Sequence, residues 1–352
     1  MPSLRLQGVL LVILMVYYAL EAEVAAARRA QAAPEATISM NIKEISGSTN
    51  IAKDGCADRC GDVIIPYPFG MDTNITSKCY RDISYKITCA KSYRTRYPIA
   101  SLNSLLHGDR YEVTKITLDY IQINMVAPLI CNINNFSNIT YEVPYPVSNT
   151  LNKLTVLGCN VEGYITSETG PAESTDRIDN QTSFSSQGKG CHTNCDMYTR
   201  NIPPSRCSGN GCCETEIPKG LTSYSIKTRR LVPNSSSFLK KKKKTNSTGS
   251  LKNTNSTGST YPCARAFLID QEYLGVGDLL QLQLYLRYDS LVPVILDWAI
   301  SDVTTCEEAQ RNPSSYACGR NSYCLESQNG PGYHCKCLKG YEGNPYLPRG
   351  CQ

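Results

Sequence analysis

The sequence predicts an all-β, disulfide-rich protein that is exported from the cell, on three observations. Eighteen cysteines, an even set, run from Cys56 to Cys351, a usage that belongs to an oxidising compartment. The apolar runs are short, rich in β-branched and aromatic residues, and stop at Pro, Gly or Asn, as strands do. No stretch keeps a 3.6-residue apolar period long enough to demand a helix.

In chain order, Arg5 precedes an apolar run from Val9 to Leu20, and small residues follow up to Ala27. That is the plan of a signal peptide over 1–27, cleaved near Ala25 to Ala27. The run is about 12 residues long where a bilayer span needs about 20, so no transmembrane helix is expected after cleavage. Residues 28–55 carry no early cysteine and form a flexible lead-in. A first Cys-rich domain is expected over 56–165, with β character at Val63 to Tyr67, Tyr85 to Cys89, Tyr111 to Val126 and Lys153 to Leu157. The polar, Gly- and Ser-bearing stretch 166–190 reads as a linker. A second Cys-rich β region is expected over 191–300, where Leu280, Leu282, Leu284 and Leu286 alternate strictly within Leu279 to Tyr288 and predict a strand with one buried face. Within it, 235–260 repeats TNSTGS and carries the run Lys240 to Lys244, a low-complexity solvated loop.

The formal net charge is +5, and the five lysines of the run Lys240 to Lys244 account for as much. The rest of the chain is close to neutral, which argues against nucleic acid as a partner. Seven N-glycosylation sequons, at Asn74, Asn135, Asn138, Asn180, Asn234, Asn246 and Asn255, agree with export.

The last six cysteines are spaced Cys306-x11-Cys318-x5-Cys324-x10-Cys335-x1-Cys337-x13-Cys351, with Gly332-Tyr333 and Gly340-Tyr341 around the final pair. The stretch 306–351 resembles an epidermal-growth-factor-like (EGF-like) module. The resemblance implies the pairs Cys306–Cys324, Cys318–Cys335 and Cys337–Cys351. So small a module cannot bury a sufficient core and needs such staples. At the other end, Cys56-Ala-Asp-Arg-Cys60-Gly61 leads into Ile65-Pro66-Tyr67-Pro68-Phe69-Gly70, then Cys79-Tyr80 and Ile87-Thr88-Cys89. Later come Leu157-Gly158-Cys159, Gly211-Cys212-Cys213 and Gly340-Tyr-Glu-Gly-Asn-Pro-Tyr346. Together these resemble the extracellular part of plant wall-associated receptor kinases. The resemblance implies a Cys-rich β ectodomain followed by an EGF-like module, located at the cell wall and binding the pectic polymer galacturonan.

Kinase activity does not follow from it. The sequence holds neither a Gly-rich phosphate loop with its lysine nor a His-Arg-Asp catalytic loop, so a kinase-less form is expected. His107, His192 and His334 are dispersed and suggest no catalytic triad or carboxylate pair; no enzyme is expected. No metal or other cofactor is expected either. The acidic residues that would hold calcium ahead of the EGF-like module reduce to Asp302, and Glu326 stands two after Cys324.

Binding a carboxylated sugar chain needs Lys or Arg at intervals, with Tyr faces for the rings. The first domain offers Arg59, Lys78, Arg81, Lys86, Lys91, Arg94 and Arg96, interleaved with Tyr80, Tyr85, Tyr93 and Tyr97. Between Lys78 and Arg96 six basic residues face a single acid, Asp82. Pro66 to Gly70 is assigned to structure, because prolines flanking an aromatic favour a rigid turn. The expected function is therefore pectin binding by a secreted glycoprotein. The alternative is a protein-binding EGF-containing module that acts as a soluble partner or competitor of full-length receptor kinases.

Overall fold

The computed structural model describes residues 51–72, 78–91, 97–103, 110–130, 136–167, 188–194, 207, 209–231, 263–276 and 290–352. The signal peptide, the lead-in up to residue 50, the Lys-rich loop, the strand expected at Leu279 to Tyr288 and every sequon except Asn138 lie outside them.

Sixteen strands among the described residues are arranged in five antiparallel sheets. The largest joins β3 (Ile87–Lys91), β4 (Pro98–Asn103), β5 (Arg110–Ile116), β6 (Tyr120–Val126) and β14 (Leu291–Asp297) in the order β14-β6-β5-β4-β3. A second orders β10 (Lys189–Thr193), β9 (Val161–Ser167), β12 (Ser223–Arg230) and β7 (Phe136–Glu142). A third holds β8 (Asn152–Leu157) between β11 (Cys212–Thr215) and β13 (Arg265–Asp270). Two short hairpins complete the set: β1 (Arg59–Cys60) with β2 (Val63–Ile64), and β15 (Ser322–Glu326) with β16 (Tyr333–Cys337). Helices are short: α1 (Gln271–Val276) and α2 (Cys306–Arg311).

Strand composition explains the layering. Every residue of β13 is buried, which a strand achieves only when both of its faces are covered. Alternate side chains serve two cores: Ala266 and Leu268 enter the main one, while Phe267 and Ile269 join Ala127, Leu157 and Val292 in a smaller one. Each fully buried Leu, Ile, Val or Phe among them contributes about 1.5–3 kcal/mol through apolar burial.

Pairing crosses the stretch expected to be a linker. The strand β12 pairs with β7 and β9, and β14 pairs with β6 from Leu291↔Val126 to Asp297↔Tyr120. Strands of the 56–165 and 191–300 segments thus share sheets, and residues 49–352 form one compact unit.

The EGF-like segment is stapled by Cys306–Cys324, Cys318–Cys335 and Cys337–Cys351. Among the described residues four further bridges, Cys56–Cys79, Cys60–Cys89, Cys191–Cys213 and Cys207–Cys212, lie upstream. Adjacent Cys212 and Cys213 therefore take different partners. Cys159 and Cys263 are disulfide-bonded too.

This segment packs into the main core rather than hanging from it. Trp298 is fully buried, and its ring centroid lies 5.1 Å from Phe69 and 6.1 Å from Tyr85 on one side, 5.3 Å from Tyr346 and 5.5 Å from His334 on the other. Its indole N–H donates to the Thr117 carbonyl at 3.0 Å. Polar clasps surround this aromatic joint. The Asn344 amide donates to the carbonyls of Ile51 and Tyr67, both at 2.7 Å, and the Asn329 amide to the Val147 carbonyl at 2.9 Å and to Asp297 at 2.8 Å. Lys336 pairs with Asp119 across the same seam.

Candidate functional site

Two disulfides organise the cationic residues singled out from the sequence. Cys60–Cys89 ties β1 to β3, and Cys56–Cys79 ties the preceding turn to the segment that enters the 3-10 turn Ile83–Tyr85. Arg59 precedes Cys60, Lys78 precedes Cys79, and Lys91 lies two residues beyond Cys89, where it pairs with Pro98. Gly61, with φ +59°, lets the β1–β2 turn rest on that same end of the sheet, since a Cβ there would sit 2.8 Å from the Pro98 carbonyl oxygen. Arg59, Lys78 and Lys91 are exposed and make no ion pair among the described residues. Lys53 stands with them, its ammonium donating to the Lys78 carbonyl at 3.1 Å. Tyr97 is 74% exposed at the mouth of β4. Exposed Asp54, Asp58 and Asp62 interleave with the basic residues in the β1–β2 segment.

Other members of the set have different employment. The Arg81 guanidinium donates to Asp302 at 2.7 Å and to the Ser315 carbonyl at 2.6 Å, and so belongs to the seam with the EGF-like segment. The Asp302 carboxylate thereby serves a cation of the chain itself. Lys86 pairs with Asp72 at 2.5 Å, and its ammonium lies 5.8 Å from the centroid of the Tyr80 ring. Tyr85 is buried and donates its hydroxyl to the Ala299 carbonyl at 2.8 Å; burial pushes its hydroxyl far above the ordinary range. Phe69 is fully buried against Tyr85, Tyr145 and Trp298. Tyr93, Arg94 and Arg96 lie outside the described residues.

Sequence reading overlooked Asp72, which no motif marks. It also overlooked an open groove of about 680 Å³ beside β10 and β11, lined by Lys153, Lys189, Glu214 and Glu216. Glu216 faces Lys153 at 3.9 Å and Lys189 at 3.6 Å, and burial raises the Glu214 carboxyl above its usual range. Asn138, the one described sequon, is exposed on β7 at the rim of its sheet.

The role of Arg81 is open to measurement. Arg81→Leu should remove two hydrogen bonds from a charged donor, worth about 1.5–3 kcal/mol each, and strand the Asp302 carboxylate. Limited proteolysis between Asp297 and Cys306 should accelerate relative to the parent protein. An unchanged cleavage rate would remove Arg81 from the seam.

The fold and this surface define a class: a disulfide-stapled, all-β ectodomain with an EGF-like module built into its core. Residues 56–127 match the family described as wall-associated receptor kinase galacturonan-binding. Among curated proteins of Arabidopsis thaliana, wall-associated receptor kinase 5 is 31% identical over 304 residues, covering 85% of this chain and 34% of that protein. Wall-associated receptor kinase 2 is 30% identical over 303 residues, with 84% and 34% covered, and wall-associated receptor kinase 1 is 27% identical over 311 residues, with 85% and 34% covered. Over most of its own length the chain is similar to the extracellular part of wall-associated receptor kinases. It spans about a third of the length of these relatives. No solved structure matches it. Among the described residues no helix is long and apolar enough to cross a membrane.

Proposed function

We propose that this protein binds galacturonan, the acidic polysaccharide of pectin, in the extracellular space of the plant cell wall, and that it does so without catalysing a reaction on it. The observation that carries the reading is the match of residues 56–127 to a galacturonan-binding family. In that segment Arg59, Lys78 and Lys91 stand exposed around two disulfides, free of ion pairs among the described residues.

Each cation offers charge-assisted hydrogen bonds to a uronate carboxylate. A single exposed contact of this kind is weak, so useful affinity comes from summing several along one polymer. The disulfides matter because they fix the spacing of the cations before the ligand arrives, which lowers the ordering cost of binding. Tyr97 supplies an exposed ring face at the same end of the sheet.

The test is titration of the oxidised protein with de-esterified and methyl-esterified oligogalacturonides at physiological salt. Saturable binding of the de-esterified form alone is expected. Neutralising Arg59, Lys78 and Lys91 together to Gln should weaken it about tenfold and flatten its dependence on salt. Equal binding of both forms, or an unaltered triple variant, would overturn this assignment.

A further inference from the structure

Asp72, Lys86 and Tyr80 form a second cluster in the first domain, and the backbone explains why they meet. Gly70 bridges to Lys86, its N–H donating to the Tyr85 carbonyl at 3.2 Å while its carbonyl accepts from the Ile87 N–H at 2.9 Å. A Cβ on Gly70 would lie 2.1 Å from the Cys79 carbonyl oxygen and 2.9 Å from the Tyr80 nitrogen. Only glycine lets the chain at 70–72 run so close to 79–80. Cys79 is itself anchored by its disulfide to Cys56. Asp72 is thereby delivered beside Lys86 and Tyr80.

The cluster has the chemistry of a carboxylate receptor. The Lys86 ammonium holds one Asp72 oxygen at 2.5 Å and lies 5.8 Å from the centroid of the Tyr80 ring. Lys86 first, and Tyr80 less so, draw the Asp72 carboxyl below its usual range, while Asp72 raises the lysine. Yet the pair is open to solvent: Asp72 is 44% exposed and Lys86 31%. An exposed ion pair of this kind contributes little to folding, so its partners remain available to exchange.

We propose that Lys86 and Tyr80 form a uronate subsite of the galacturonan surface, and that Asp72 is its built-in occupant, a tethered carboxylate that an incoming galacturonate must displace. The proposal rests on the galacturonan reading given above. The exchange replaces one carboxylate by another, so the Lys86 ammonium stays paired and no proton moves. Its consequence is selectivity. A methyl-esterified residue carries no charge and cannot compete with Asp72, whereas a free uronate held nearby by Lys78 and its neighbours competes at a high effective concentration. Asp72 thus filters for de-esterified polymer.

The experiment compares the oxidised full-length parent with Asp72→Asn, Lys86→Gln, the double variant and Asp62→Asn, titrated with de-esterified tetragalacturonide. The Asp62 variant removes a different exposed carboxylate of the same domain and reports the general effect of charge. Circular dichroism and a free-thiol assay confirm folding of each protein. Asp72→Asn should bind about threefold more tightly, Lys86→Gln more weakly, and the gain should vanish in the double variant. A gain equal to that of Asp62→Asn, or one that survives loss of Lys86, overturns the proposal. If the parent binds and Asp72→Asn binds no better, the built-in occupant is refuted and the galacturonan reading stands. If neither protein binds, both fall together.

Discussion

Trp298→Ala is expected to give the largest loss of stability of any single replacement in the molecule. Trp298 is fully buried and touches four aromatic rings drawn from three segments of the chain. Truncation removes these contacts, leaves a cavity and strands the Thr117 carbonyl that its indole N–H satisfied. Buried Trp-to-Ala changes cost about 3–5 kcal/mol. The aromatic joint is also what seats Tyr346 and His334 of the EGF-like segment against Phe69 and Tyr85. Thermal unfolding should therefore start earlier, and protease sensitivity should rise at the seam before it rises in the sheets. Trp298→Phe keeps most of the ring contact and should recover more than half of the loss. A Trp298→Ala protein that melts with the parent would show that this joint is not what holds the EGF-like segment in place.

A second large effect is expected from opening Cys60–Cys89. Replacing both cysteines by Ala frees a loop with a sequence separation of 29, and releasing a closed loop of this size costs about 3–4 kcal/mol on the chain-entropy account. Because Cys60 is almost completely buried in the main core, paired replacement also leaves a small void. The midpoint of chemical denaturation should fall accordingly. The same change should weaken oligogalacturonide binding even where the protein stays folded, since β1 and its Arg59 are no longer pinned to β3 and Lys91. Folded variant protein with parental affinity would separate the cations from the disulfide that positions them.

The fold class was legible because cysteine spacing and strand composition are local properties. Tyr111 to Val126 reads as continuous β structure but is two strands, β5 and β6. The turn between them uses no Gly or Pro: the Thr117 hydroxyl accepts from the N–H groups of Asp119 and Tyr120 and does the work of a turn residue. β14 was not foreseen either. Its Pro293 argues against a central strand, and the structure places β14 at the rim of its sheet, where a proline is tolerated. For the candidate site, the sequence shows which residues carry charge but not how each charge is used. Arg81 finds Asp302 across 221 residues and Lys86 finds Asp72 across a chain reversal. Partnerships of that span leave no periodic trace, and only the folded backbone separates Lys78 and Lys91 from cations already engaged.

The placement of β14 against β6 bears on whether the family stretch can stand alone. The stretch that defines the family, 56–127, ends one residue past β6, and the strand that closes that side of the sheet is supplied more than 160 residues later in the chain. Excised alone, the stretch would carry an unpaired row of backbone donors and acceptors along β6, an invitation to associate with other copies. Expressed by itself, residues 56–127 should therefore self-associate or fold only when the 291–297 strand is supplied. The recognisable stretch is thus one part of a longer folding unit, whose sheet is completed by chain that lies far beyond it.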